Sequence, residues 1–133
     1  MRNMSFALTT DQIRNKTNTV TRRFGWWFLH PGDQIRPVLK GMGLKKGETI
    51  QTLLPDGQCI QVVSGRSEPL NAITKADCIL EGFPDMQPAD FIAMLVKHYR
   101  CDPAAKVNRI EFKYIDEGQE EREYDNGRNN IQR

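Results

Sequence analysis

The run Asn18-Thr19-Val20-Thr21-Arg22-Arg23 gathers groups able to do chemistry. Read as a β-strand, it sets Thr19, Thr21 and Arg23 on one face, two hydroxyls beside a guanidinium, and Val20, Arg22 and Phe24 on the other. Far along the chain, Glu81-Gly82-Phe83 closes a predicted helix. Hydroxyl, guanidinium and carboxylate gathered in one hollow could bind a polar base or polarise an acyl group. Spacing alone does not bring them together.

Two neighbouring motifs add cations and rings. In Arg22-Arg23-Phe24-Gly25-Trp26-Trp27 the guanidiniums suit phosphates and the indoles suit stacking on bases. Alternation makes Phe24, Trp26 and Phe28 a core face and turns Trp27 outward as the stacking ring. Lys40, Lys45 and Lys46 surround the glycine-rich run Gly41–Gly47, which matches neither G-x-G-x-x-G nor G-x-x-x-x-G-K-[ST]. No long helix follows it, so it reads as a mobile basic loop able to touch phosphates, not as a nucleotide cradle. His30 and His98 stand alone, with no metal-ligand pattern around them. Cys59, Cys78 and Cys101 form no C-x-x-C pair and read as buried thiols. Neither a metal nor a cofactor is expected.

The elements that must position these groups are legible in outline. Met4 to Leu8 reads as a strand, residues 10–16 as a short helix, and Thr19 to Leu29 as an aromatic-rich strand ending at the His30-Pro31-Gly32-Asp33 turn. Gln34 to Leu39 reads as a strand that Pro37 pushes to a sheet edge. Thr49 to Leu54 and Cys59 to Ser64 read as a hairpin about Pro55-Asp56-Gly57-Gln58. Thr74 and Asp77 form a capping-box pattern ahead of the stripe Ala76, Ile79, Leu80 and Phe83. Pro88 opens a helix carrying Phe91, Ile92, Leu95, Val96 and Tyr99, and Val107 to Ile115 is a closing strand. The class is α+β: about five or six mostly antiparallel strands, in a small curled sheet or barrel, with about three helices.

The chain has 133 residues, 38% hydrophobic and 27% charged, which suits one water-soluble domain. Its net charge of +2 hides an asymmetry. Residues 1–46 hold nine Lys/Arg against two Asp, the footing for an anionic partner. Residues 116–133 hold six Asp/Glu against three Arg and almost no large apolar side chains, so an acidic flexible tail is expected after a domain over 1–115. No apolar run is long enough for a membrane span or a secretory signal, which makes the cytoplasm the expected compartment.

The stretch NKTNTVTRRFGWWFLHPGD resembles the ASCH domain family, relatives of the PUA RNA-binding fold. The signature is glycine, any, lysine, two any, threonine, any, arginine; Thr21 falls at its threonine and Arg23 at its arginine. The following turn, Glu81-Gly82-Phe83 and the closing RIEFKYI extend the likeness over about residues 4–115, and it is nearest to the short single-domain ASCH proteins of bacteria and phages. The resemblance implies a PUA-like curled β-barrel with flanking helices and a cleft around the signature strand. Family members bind RNA; one branch hydrolyses acetylated cytidine with lysine, threonine and glutamate, and another is a reported ribonuclease. Carried over, Thr21 would be the nucleophile, Glu81 the acid/base and Arg23 a binding or oxyanion-stabilising cation.

Two positions depart from the signature: Lys16 stands at its glycine and Asn18 at its lysine. Asparagine exchanges no proton near neutral pH. Lys16 could substitute only if the strand already runs there and aims it at the cleft. The leading expectation is therefore a module binding RNA, a nucleotide or a modified nucleoside. Lys16, Arg22, Arg23, Lys40, Lys45 and Lys46 would serve as cations, Trp27 as a stacking ring, and Asn18, Thr21 and Glu81 as readers of the base edge. A hydrolase using Thr21, Glu81 and Lys16 is the alternative, and a phage-type factor acting on a host protein the third.

Overall fold

The computed structural model describes residues 2–115. The expected acidic tail, 116–133, lies outside the described residues. Five strands, β1 (Arg2–Ser5), β2 (Val20–Arg23), β3 (Gln34–Val38), β4 (Ile60–Pro69) and β5 (Lys106–Tyr114), form one sheet in the order β1-β3-β4-β5-β2. Only β1 and β3 run parallel; every other pair is antiparallel. Three helices flank it: α1 (Thr10–Arg14), α2 (Lys75–Leu80) and α3 (Pro88–Tyr99). The fold is thus the expected α+β class, with a curled sheet that stays open between its edge strands, β1 and β2, instead of closing as a barrel.

Burial divides into two cores. One fills the curl with Met4, Phe6, Ile13, Ile35, Ile60, Val62, Ile110 and Phe112. The other packs α2 and α3 on the far end of the sheet through Leu70, Ile73, Cys78, Phe91, Leu95 and Val107. Each buried aliphatic or aromatic side chain contributes about 1.5–3 kcal/mol, which holds the two halves together around the polar groups between them. No helix among the described residues is long and apolar enough to cross a membrane.

Several local expectations fail for identifiable reasons. The aromatic strand stops at Arg23, because Gly25 (φ 79°) and Trp26 (φ 62°) turn into left-handed conformations. Trp26 packs on the core, but Phe24 and Phe28 are exposed. Asn108 Nδ2 donates to the carbonyls of Gly25 and Trp26 (3.3 and 3.0 Å) and fixes that turn. Strand β3 lies inside the sheet despite Pro37. Its ladder with β4 covers only Gln34 and Ile35, and the Pro37 carbonyl accepts instead from Leu53 N (3.1 Å), so proline blocks no ladder bond. The first arm of the expected hairpin is reduced to a single bridge, Val38 to Thr52, whereas β4 runs on to Pro69. In α2 the buried side chain is Cys78, while Ile79 and Leu80 face solvent. Cys59 and Cys101 are only half-buried, so the buried-thiol expectation holds for Cys78 alone.

Candidate functional site

A cleft of about 240 Å³ bridges the opening of the sheet. Ser5 and Phe6 reach it from the end of β1, Thr21, Arg22 and Arg23 from β2, and Phe91, Met94, Leu95, His98 and Tyr99 from α3. Ala7, Leu8, Thr9, Asn18, Glu81 and Phe83 also line it. Thr21, Arg23 and Glu81 therefore line one cleft.

Asn18 and Glu81 meet because α2 ends against the start of β2. Thr74 caps α2, its Oγ1 accepting from Asp77 N at 3.2 Å. The last carbonyls of a helix lack internal partners. Here the Leu80 carbonyl accepts from Thr19 N (2.8 Å), and the Glu81 carbonyl accepts from Asn18 Nδ2. Tyr114 Oη donates to the Asn18 carbonyl (2.6 Å) from β5. Gly82 ends the helix at φ 97°. A Cβ there would lie 2.8 Å from Gln12 Cγ, so both conformation and space demand glycine. Asn18 is fully buried, with its Oδ1 left without a partner among the described residues.

Thr21 and Arg23 share a face, as alternation requires. Arg23 Nε donates to Thr21 Oγ1 (2.9 Å), and its guanidinium carbon sits 4.6 Å from the centre of the Phe6 ring. No carboxylate pairs with it among the described residues, and burial pulls its pKa below the ordinary arginine value. Arginine remains charged at neutral pH even so.

Arg22, although part of the cleft lining, turns its guanidinium into a cluster that sequence reasoning missed. Its guanidinium is wholly buried. Nη1 donates to Glu81 Oε2 (2.8 Å), and Nη2 to Glu68 Oε2 (2.8 Å) and Asp77 Oδ2 (2.5 Å). Asp77 also accepts from Arg109 Nε (2.7 Å) and Nη2 (3.0 Å). The Asp77 carboxylate therefore does not complete a capping box; it ties two arginines together. Arg22, expected as a ligand cation, is instead the brace of Glu81. The signal for this was faint: an arginine on the opposite strand face, with acidic residues on elements far away in sequence.

The two key carboxyls are pushed in opposite directions. Hydrogen bonds from Arg109, working against burial and helped by Arg22, hold Asp77 well below the usual carboxylate range. Burial pushes Glu81 up to about 7, outweighing the pull of Arg22 and the weaker pull of Arg23, with the charge of Asp77 adding to the rise. Glu81 is thus poised to hold or release a proton near neutral pH.

The remaining predicted residues lie elsewhere. Lys16 follows α1 in a left-handed conformation (φ 61°), exposed and outside the cleft lining, so the expectation that it reaches the cleft fails. Trp27 is 55% exposed on the turn after β2 and does not line the cleft. Lys45 and Lys46 are exposed on the glycine-rich loop, and Lys40 borders a separate hollow. His98 and Tyr99, read from sequence as a lone histidine and a helix core residue, stand together at the cleft wall with ring centres 4.8 Å apart. Among the described residues no group of His, Cys, Asp and Glu is placed to hold a metal ion.

These features define a small α+β protein with an open curled sheet and a mainly apolar cleft, edged by a few polar groups, across its opening. Among solved structures it is similar to the crystal structure of protein EF3133 from Enterococcus faecalis V583, described under the family model DUF984, at a TM-score of 0.57 and 14% identity. The likeness covers 91% of this chain and 81% of that one and is a likeness of fold. No protein-family model matches the chain, and no curated protein matches it.

Proposed function

We propose that the chain is an ASCH-like binding module whose cleft takes one nucleoside unit, free, phosphorylated or within RNA. The observation that carries this is the convergence of Asn18, Thr21, Arg23 and Glu81 beside Phe6, Phe83, Phe91 and Tyr99 in a single cleft. A planar, polar ligand matches such a wall: rings for its face, and a few fixed donors and acceptors for its edge. Arg23, held by Thr21 and free of any carboxylate among the described residues, supplies the charged donor. Glu81 donates when protonated and accepts when ionised.

Calorimetric titration with the four nucleosides, their 5′-monophosphates and N4-acetylcytidine tests this reading. At least one should bind, and Arg23→Ala should weaken it roughly 10- to 100-fold, the value of a charged hydrogen bond. Absence of binding across the whole panel would refute the reading.

A hydrolase remains the second reading, favoured by the position of Glu81 near neutral titration. It lacks a base of the family's kind: among the described residues no lysine lines the cleft, and Thr21 Oγ1 already accepts from Arg23. The expected result is that N4-acetylcytidine binds without being cleaved. Acetate release that is fast in the native protein and lost in both Thr21→Ala and Glu81→Gln would restore catalysis.

A further inference from the structure

We infer that the cleft is one half of a groove for single-stranded nucleic acid, the other half being the adjoining hollow under the glycine-rich basic loop. This rests on reading the cleft as a base site. The hollow, also about 240 Å³, shares Ser5 and Ala7 with the cleft as a common wall. Ser5 Oγ donates to the Leu39 carbonyl (2.9 Å), which pins the end of β1 to the start of the loop and fixes that wall.

The hollow repeats the chemistry of the cleft in a looser form. Leu39 and Leu44 give an apolar surface for a base face, and Lys40 gives the cation. Lys40 Nζ lies 3.6 Å from Glu48 Oε1, with both side chains at least 40% exposed. An exposed pair of this kind contributes little, so a phosphate can take over the lysine. Glu48 keeps its own role, since its Oε1 accepts from Lys45 N (2.7 Å) and shapes the loop. Lys45 and Lys46, exposed on the same loop, add two more positive charges. Two neighbouring hollows that share a wall, each with an apolar surface and a cation, give room for two successive nucleotides of an unpaired strand, the second held by its phosphate and by aliphatic contact.

The test compares a 5′-mononucleotide with RNA and DNA hexanucleotides of one mixed sequence, by fluorescence anisotropy across a salt series. The native protein should bind a hexanucleotide at least tenfold tighter than the mononucleotide. A triple variant, Lys40→Ala, Lys45→Ala and Lys46→Ala, all at exposed positions, should lose that gain while keeping its mononucleotide affinity. Its slope of log affinity against log salt should fall by about 2, at roughly 0.7 per single-strand phosphate contact. Preference for one hexanucleotide over the other assigns the sugar type, and either preference supports the groove. Equal affinity for mononucleotide and hexanucleotides, or an undiminished gain in the triple variant, would overturn the groove and leave the base site standing. Failure of every probe to bind would overturn both.

Discussion

Replacing Asp77 by alanine is expected to cost about 3–5 kcal/mol of folding stability, the usual penalty for removing one partner of a buried ion pair. Asp77 accepts three hydrogen bonds, one from Arg22 and two from Arg109. Its loss leaves two buried guanidiniums facing the same space. A buried carboxylate stripped of its partner can take up a proton and become neutral; arginine has no such escape near neutral pH. The penalty therefore stays in the folded state. Glu68→Ala makes the comparison sharp. Glu68 shares Arg22 with two other carboxylates, and its second partner, Arg66, is 63% exposed. Its loss should cost about 1 kcal/mol, the scale of an ordinary hydrogen bond. Urea denaturation at neutral pH of the two variants beside the native protein decides the matter. Equal, small losses would mean that the Arg22–Asp77–Arg109 cluster is solvated in solution.

The parts of this site visible in the sequence were the local ones. Thr21 and Arg23 share a face because a strand alternates, and Glu81 sits at a helix end because Thr74 and Gly82 bound a short helix. The same alternation correctly set Arg22 opposite. What lay opposite was set by tertiary packing: α2 and β4 bring Asp77 and Glu68 there, and no local pattern encodes that meeting. Lys16 was lost to a left-handed turn after a five-residue helix, too short for its end to be read. Trp27 was lost to Gly25, whose presence in an apparent strand is itself a break signal. In α2, six residues are too few for periodicity to separate the buried Cys78 from the exposed Ile79. Asn18 shows the other kind of gap. Beside the resemblance alone it looks like a missing base, yet its amide closes the C-terminus of α2 and holds Glu81 in the cleft.

Glu81→Gln should erase a pH dependence of stability that the native protein carries between about pH 4.5 and 7. The ordinary glutamate value is 4.5, and burial lifts Glu81 to about 7 in the folded chain. Between those values the folded state holds a proton that the unfolded state has released, so stability falls as pH rises. The contribution is fully present below 4.5 and gone once pH has passed through 7. A shift of this size corresponds to about 3 kcal/mol. Asp77 and Glu68 act with the opposite sign, being held below their ordinary values, and their contribution is lost as pH drops below about 4. The native protein should therefore be most stable in the mildly acidic range. Glutamine cannot ionise but retains a carbonyl oxygen to accept from Arg22 Nη1, so the variant keeps the acidic limb and loses the descent toward neutrality. Urea denaturation of both proteins from pH 4 to 8 gives a difference curve in which Asp77 and Glu68 cancel. A difference that is flat, or that grows in favour of the native protein as pH rises, would show that Glu81 ionises as an ordinary carboxylate held by Arg22. The cleft would then present a fixed negative charge, and a phosphate beside Arg23 would be repelled instead of read.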